Sequence, residues 1–252
     1  MFLHRRQFVR AAVLSTAWIA LPKRAIAHVS PKILILGDSM IAGGFGLYLE
    51  NALRKLHGYR VRRKGKSSSG LARPDFFDWM KEARAQVDVF SPDATVVMFG
   101  GNDVQGLWMG KDAWIRWPDE GWNHEYSRRV HAFCDIVAPR VSESSQVPRV
   151  FWVGMPVMRP KKFHVRVQRI NTIVRDVLSA RPGATFIDTW SVLADARGQY
   201  TDRLDIDGEG GKTPVRVRAK DGIHLTVAGA HHLESHVRLV VQHELGDPKA
   251  GL

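Results

Sequence analysis

The sequence predicts an α/β fold, a three-layer α/β/α sandwich built on a mostly parallel five-stranded sheet. Two observations lead there. Short, continuous apolar runs recur along the chain, which suits strands buried on both faces. Segments of helical periodicity lie between them, as expected of a parallel sheet wrapped by helices. A length of 252 residues, 44% hydrophobic and 25% charged, suits one good-sized core and is too apolar for disorder.

The first thirty residues differ from the rest. Arg5, Arg6 and Arg10 precede an apolar run from Ala11 to Leu21, followed by Lys23, Arg24 and then Ala25-Ile26-Ala27. A basic head, a short apolar middle and a small-x-small end make an export signal, residues 1–27, cut after Ala27. The run is shorter than the roughly 20 apolar residues of a spanning helix, so no stable membrane anchor is expected after cleavage. Arg5-Arg6 followed by Gln7-Phe8-Val9-Arg10 resembles a twin-arginine signal. The expected location is periplasmic or secreted, with residues 28–252 forming a single domain. Cleavage removes five basic residues and no acid, lowering the formal charge from +12 to +7.

Ile33 to Leu36 is the first strand candidate and ends at Gly37. Ala94 to Phe99, Val150 to Val153 and Thr185 to Ile187 share its character, while the more polar stretch from Tyr59 to Arg63 suits an edge. Leu47, Leu49, Leu53 and Leu56 line part of one helix face. Val165 to Leu178 and Val227 to Leu245 are further periodic helices. Two stretches exceed ordinary connections. Asn102 to Asn123 holds Trp108, Trp114, Trp117 and Trp122. Asp195 to Lys220 reads as a hairpin or an irregular excursion, with alternating Val215 and Val217.

Ligands of open parallel sheets collect at the carboxyl ends of the strands, so the residues there are the most informative. The first strand runs into Gly37-Asp38-Ser39-Met40, and the second is followed by Ser67-Ser68-Ser69-Gly70-Leu71. The third runs into Gly100-Gly101-Asn102-Asp103, and Asp221-Gly222-Ile223-His224 precedes the last helix. A serine hydroxyl needs a base, and histidine titrates nearest neutrality. Of the eleven histidines only His224 has an aspartate three residues before it. Asp221 suits the role of fixing its tautomer and stabilising the imidazolium.

These four blocks, in this order, resemble those of the SGNH hydrolases, often called the GDSL family, across nearly the whole chain after the signal. The resemblance implies that family's flavodoxin-like sheet and an acyl-enzyme mechanism with Ser39, Asp221 and His224 as catalytic residues. It further implies an oxyanion hole from the amides of Ser39 and Gly70 and the side chain of Asn102. Asp38 and Asp103 fall in the same blocks as loop braces. The Gly-x-Ser-x-Gly elbow of the α/β-hydrolases is absent.

Other chemistry finds little support. Cys134 is the only cysteine, which excludes an internal disulfide and a thiolate zinc cage. His124-Glu125 and His243-Glu244 lack a second histidine, His232 and His236 lack a third ligand, and Gly43-Gly44-Phe45-Gly46 has neither P-loop nor dinucleotide spacing. No metal and no cofactor are expected. The basic run from Arg60 to Lys66 has no nucleic-acid motif beside it and suits a solvated edge, so no nucleic-acid partner is expected.

The expected partner is an acylated small molecule or polysaccharide. The reading is a serine esterase for short acyl, above all acetyl, esters, with envelope or exopolysaccharide glycans as the candidate carriers. An acyltransferase acting on a glycan, or a non-catalytic glycan-binding or assembly protein of the same fold, are the alternatives. Arg73, Trp108, Trp114 and Met155 are candidate substrate contacts. The tryptophans suit equally the wall of a sugar cleft or a lid packed on the core.

Overall fold

The computed structural model describes residues 30–138, 149–208 and 211–246. The N-terminal signal assigned from sequence lies outside them. Five parallel strands form the sheet: β1 (Lys32–Gly37), β2 (Arg60–Gly65), β3 (Ala94–Met98), β6 (Arg149–Val153) and β7 (Ala184–Ile187), in the order β2-β1-β3-β6-β7. Two hairpins lie apart from it, β4 (Leu107–Gly110) with β5 (Ala113–Ile115), and β8 (Arg203–Gly208) with β9 (Gly211–Arg216).

Of the strands expected to be apolar throughout, β1, β3 and β6 are buried on both faces, whereas β7 is the second edge of the sheet and is fully buried only at Ile187. In β1, Ile33 and Ile35 enter one core while Leu34 and Leu36 enter the other, all four fully buried. Period-2 alternation sends successive side chains to opposite faces, so both layers must be apolar. Complete burial of each such side chain contributes roughly 1.5–3 kcal/mol. β2 takes the polar edge. Arg63 on it donates to Glu50 (2.7 Å) and to the Ile41 carbonyl (2.8 Å), so part of the basic run braces the loop after β1.

Among the described residues six α-helices accompany the strands: α1 (Ser39–Ala42), α2 (Gly44–His57), α3 (Trp79–Phe90), α4 (Gly121–Val137), α5 (Lys161–Ser179) and α6 (Val227–Leu245). α2 and α6 supply Leu49, Leu53, Leu233 and Val237 to one core; α3, α4 and α5 close the other. Thr226 caps α6 by accepting the Gly229 amide, and Asp78 caps α3 by accepting the amides of Met80 and Lys81.

Two sequence expectations about helix faces need correction. Leu47 and Leu56 do not share the buried face of α2. They are 42% and 57% exposed, because Leu49 and Leu53, four residues apart, carry the packing. Val165 is likewise exposed on α5. The long segment 102–123 folds into the β4–β5 hairpin and the start of α4, and within 195–220 the β8–β9 pair is the hairpin expected there. Helices α3 and α4 went unassigned in the sequence. The buried face of α4 contains the ion pair Arg129–Glu125 (2.7 Å), which breaks its apolar stripe.

Candidate active site

All five sheet strands run the same way, so the loops after β1, β2 and β3 gather at one edge. Ser39 opens α1 directly after β1, where a helix's first amides have no intrahelical acceptor. Asp38, buried beside it, caps the helix by accepting the Met40 amide (2.9 Å). The loop joining β9 to α6 carries the other partners. It is pinched shut by a bridge between Arg218 and Leu225 and by the Ala219 amide donating to the His224 carbonyl (2.8 Å). Gly222 turns this loop at φ +73°, a left-handed conformation that glycine adopts at no steric cost.

The loops bring Ser39 and His224, 185 positions apart, into contact. Ser39 Oγ lies 3.0 Å from His224 Nε2, and His224 Nδ1 lies 2.6 Å from Asp221 Oδ2. The other oxygen of Asp221 accepts the amides of Ile223 (2.8 Å) and His224 (2.9 Å). Desolvation raises the Asp221 carboxyl, but hydrogen bonds from the His224 ring and from these two amides outweigh it and hold the group down at about 2. An ionised Asp221 accepts from Nδ1–H. By this network, Nε2 is the free acceptor that faces the serine hydroxyl.

Gly70 and Asn102 meet at the next two loops. Asn102 Nδ2 donates to the Ser69 carbonyl (3.0 Å), which fixes its amide plane and leaves its second hydrogen for a ligand. Gly70 is pressed against Asp103: a Cβ there would lie 2.2 Å from Oδ1. Asp103 in turn accepts the Ala72 amide (2.7 Å) and the Tyr126 hydroxyl (2.8 Å), bracing the loop as its motif position implied. Burial pushes the Asp38 carboxyl up to about 7 against the pull of the Met40 amide. Burial also raises Asp103, opposed by the Ala72 amide and the Tyr126 hydroxyl.

A groove of about 270 Å³ opens beside the serine, lined by Ser39, His224, Gly44, Tyr48, Val227 and Ala230. A larger concavity of about 380 Å³ lies between α3 and α4, touching Gly70, Phe77, Met80, Trp108 and Arg129. The ion-paired chain of Arg73 (2.7 Å to Asp75) sets its guanidinium 4.9 Å from the ring of Trp114, which is 42% exposed. Trp122, by contrast, is core, stacked on Tyr126. Met155 is only 1% exposed and packs beneath Gly100 and Gly101, so it is a floor to the loop rather than a surface contact. Among the described residues no group of three or more His, Cys, Asp or Glu side chains could hold a metal ion, and no helix is long and apolar enough to cross a membrane.

Two neighbours of the site escaped the sequence reading, Tyr48 and Arg218. Tyr48 stacks on His231 at 3.9 Å along the groove. Arg218 belongs to the alternating Val-Arg-Val-Arg run, where period-2 logic puts both arginines outward. Arg216 obeys it, whereas β9 has ended by Arg218 and the side chain turns inside.

The strand order, the three converging loops and the Ser39–His224–Asp221 relay define a protein of the SGNH, or GDSL-type, hydrolase fold. Solved structures of that architecture resemble the chain in fold. A catalytic mutant of an acetylxylan esterase from Geobacillus stearothermophilus is 16% identical, with a TM-score of 0.55 over 87% of this chain and 96% of its own. A peptidoglycan O-acetylesterase is 10% identical, with a TM-score of 0.56 over 86% and 92%. A carbohydrate esterase family 3 structure from Talaromyces cellulolyticus is 16% identical, with a TM-score of 0.51 over 85% and 98%. No curated protein matches the chain. Over residues 32–239 it matches the model of the family described as protein of unknown function (DUF459), and it belongs to that family.

Proposed function

We propose that this protein is a serine esterase that removes short acyl groups, chiefly acetyl, from glycans outside the cytoplasm. One observation carries the reading: the continuous relay from Ser39 Oγ through His224 to Asp221 at 3.0 and 2.6 Å. Within it, His224 Nε2 takes the hydroxyl proton as Oγ bonds to the ester carbonyl carbon, and Asp221 stabilises the imidazolium. The amides of Ser39 and Gly70 and the second hydrogen of Asn102 Nδ2 meet the carbonyl oxygen as it becomes anionic. The imidazolium then protonates the departing alkoxide, leaving an acyl ester on Ser39. Water, deprotonated by the same ring, releases the acid and restores the serine.

Solvent reaches the site, with the His224 side chain 48% exposed. That openness favours water as the acyl acceptor and so favours hydrolysis over acyl transfer. The glycan is supported by the exposed Trp114 under Arg73, because flat rings stack on the apolar faces of pyranoses, and by the esterases whose fold it shares. The location rests on the basic, apolar, small-residue pattern of residues 1–27.

The test is hydrolysis of p-nitrophenyl acetate and longer acyl esters by the protein lacking residues 1–27. Activity that declines with chain length and is lost in both Ser39→Ala and His224→Ala is expected. A folded wild-type protein that cleaves no ester refutes the proposal.

A further inference from the structure

The loop that presents Asp221 and His224 is wrapped around a buried cation. Arg218 is 0% exposed, although arginine is almost never fully buried without a partner. Its Nη2 donates to the carbonyls of Ile223 (2.9 Å) and Gly222 (3.2 Å), the two residues between the aspartate and the histidine, and lies 3.2 Å from Met158 Sδ. The guanidinium carbon sits 5.5 Å from the Tyr200 ring centroid. Nε and Nη1 are buried with no hydrogen-bond partner among the described residues.

No carboxylate is within ion-pair distance of Arg218 among the described residues; its Asp221 interaction is through space. A buried cation left without a bonded anion is costly, and an apolar side chain of similar size packs more favourably in such a place. Stability therefore gives little account of an arginine at this position. The fork can do two things that an apolar side chain cannot. It ties down both carbonyls of the turn, and it sets a positive charge behind the carboxylate that must stay ionised through the reaction.

We propose that Arg218 is a positioning residue, holding the 221–224 turn so that Asp221 and His224 keep the geometry required by Ser39. It touches no reacting atom and acts through the turn. The inference rests on the serine-esterase reading, and the second measurement below is independent of it.

Arg218→Met removes the fork and the charge while keeping a long side chain; Arg218→Lys keeps the charge without the fork. With p-nitrophenyl acetate, Arg218→Met is expected to lower kcat roughly tenfold to a hundredfold, the scale of a misplaced catalytic group. KM stays within about twofold, since the substrate contacts are untouched. Arg218→Lys falls between. The second measurement is the downfield proton resonance of His224 Nδ1–H hydrogen-bonded to Asp221, assigned by its loss in His224→Ala and visible whatever the enzyme hydrolyses. It is expected to weaken or move upfield in Arg218→Met. An unchanged kcat together with an unchanged resonance in folded Arg218→Met overturns the proposal. Should that variant fail to fold, the same two readings at wild-type values in Arg218→Lys overturn the role of the fork. Wild-type protein that shows the resonance but cleaves no ester refutes the esterase reading and leaves the positioning of the turn to be decided by the spectrum.

Discussion

Alanine at position 70 tests the oxyanion assignment and the packing beneath it in one substitution. The new Cβ would stand 2.2 Å from Asp103 Oδ1 and 2.6 Å from its Cγ, against the 3.4 Å at which ordinary contact begins. Relief requires a movement of roughly 1 Å, the scale of misplacement that costs about a hundredfold in rate. Asp103 is poorly placed to provide it. It is fully buried, and its two oxygens are engaged by the Ala72 amide and the Tyr126 hydroxyl at 2.7 and 2.8 Å. The loop carrying residue 70 therefore moves instead, and its amide leaves the narrow range in which it meets a developing oxyanion. Loss of one such donor lowers kcat by about 10²- to 10³-fold. Overpacking costs about 1–3 kcal/mol, a Tm decrease of roughly 2–12 °C for a chain of this size. Thermal melts beside steady-state kinetics on p-nitrophenyl acetate measure both. Native kcat in a Gly70→Ala protein would refute the assignment of this amide to the oxyanion, and native Tm would refute the packing argument.

Three further substitutions carry expected outcomes. Asp221→Asn is expected to lower kcat by about 10⁴, the loss that accompanies a wrong histidine tautomer in a serine triad, with KM little changed. The Asp221 carboxyl is held at about 2 from an ordinary 3.8, so its contribution to stability is present above about pH 4 and disappears as pH falls through about 2. Urea melts across that range should show a smaller acid loss in Asp221→Asn. Asp38 has the opposite sign: its carboxyl is raised to about 7, the folded state holds a proton that the unfolded chain releases, and stability falls from about pH 4 to about pH 7. Asp38→Asn should flatten the dependence of Tm on pH over that interval; an unaltered slope would contradict the burial argument. Trp114→Ala should leave Tm within about 2 °C, as an exposed site allows. It should raise KM for an acetylated polysaccharide severalfold, and an unchanged KM would remove Trp114 from the substrate path.

The linear order of residues determined the parts of this protein that depend on local pattern. Ile33 to Leu36 and Val150 to Val153 read as doubly buried strands because every residue in them is apolar, and Tyr59 to Arg63 as an edge because it is not. Three of the motif blocks were legible for the same reason: each follows a strand of the parallel sheet, which sends all such ends to one side, whereas the Asp221–His224 block follows the separate β8–β9 hairpin and was legible only by its own residues. What crosses the chain was decided only by the fold. The sequence places Ser39 and His224 185 positions apart, and their 3.0 Å contact depends on a turn built on Gly222 and Arg218. Arg218 looks like a solvent-facing strand residue until β9 ends two positions early. Leu47 and Leu49 are chemically identical, yet one is 42% exposed and the other fully buried, because α2 has one face to give to the sheet. Trp114 and Trp122 lie eight residues apart, one at the surface and one in the core, and their local sequence does not distinguish them. Composition and period state how much apolar surface a segment must bury, whereas the partner that covers it comes from distant segments, and only tertiary packing decides which side chain it meets.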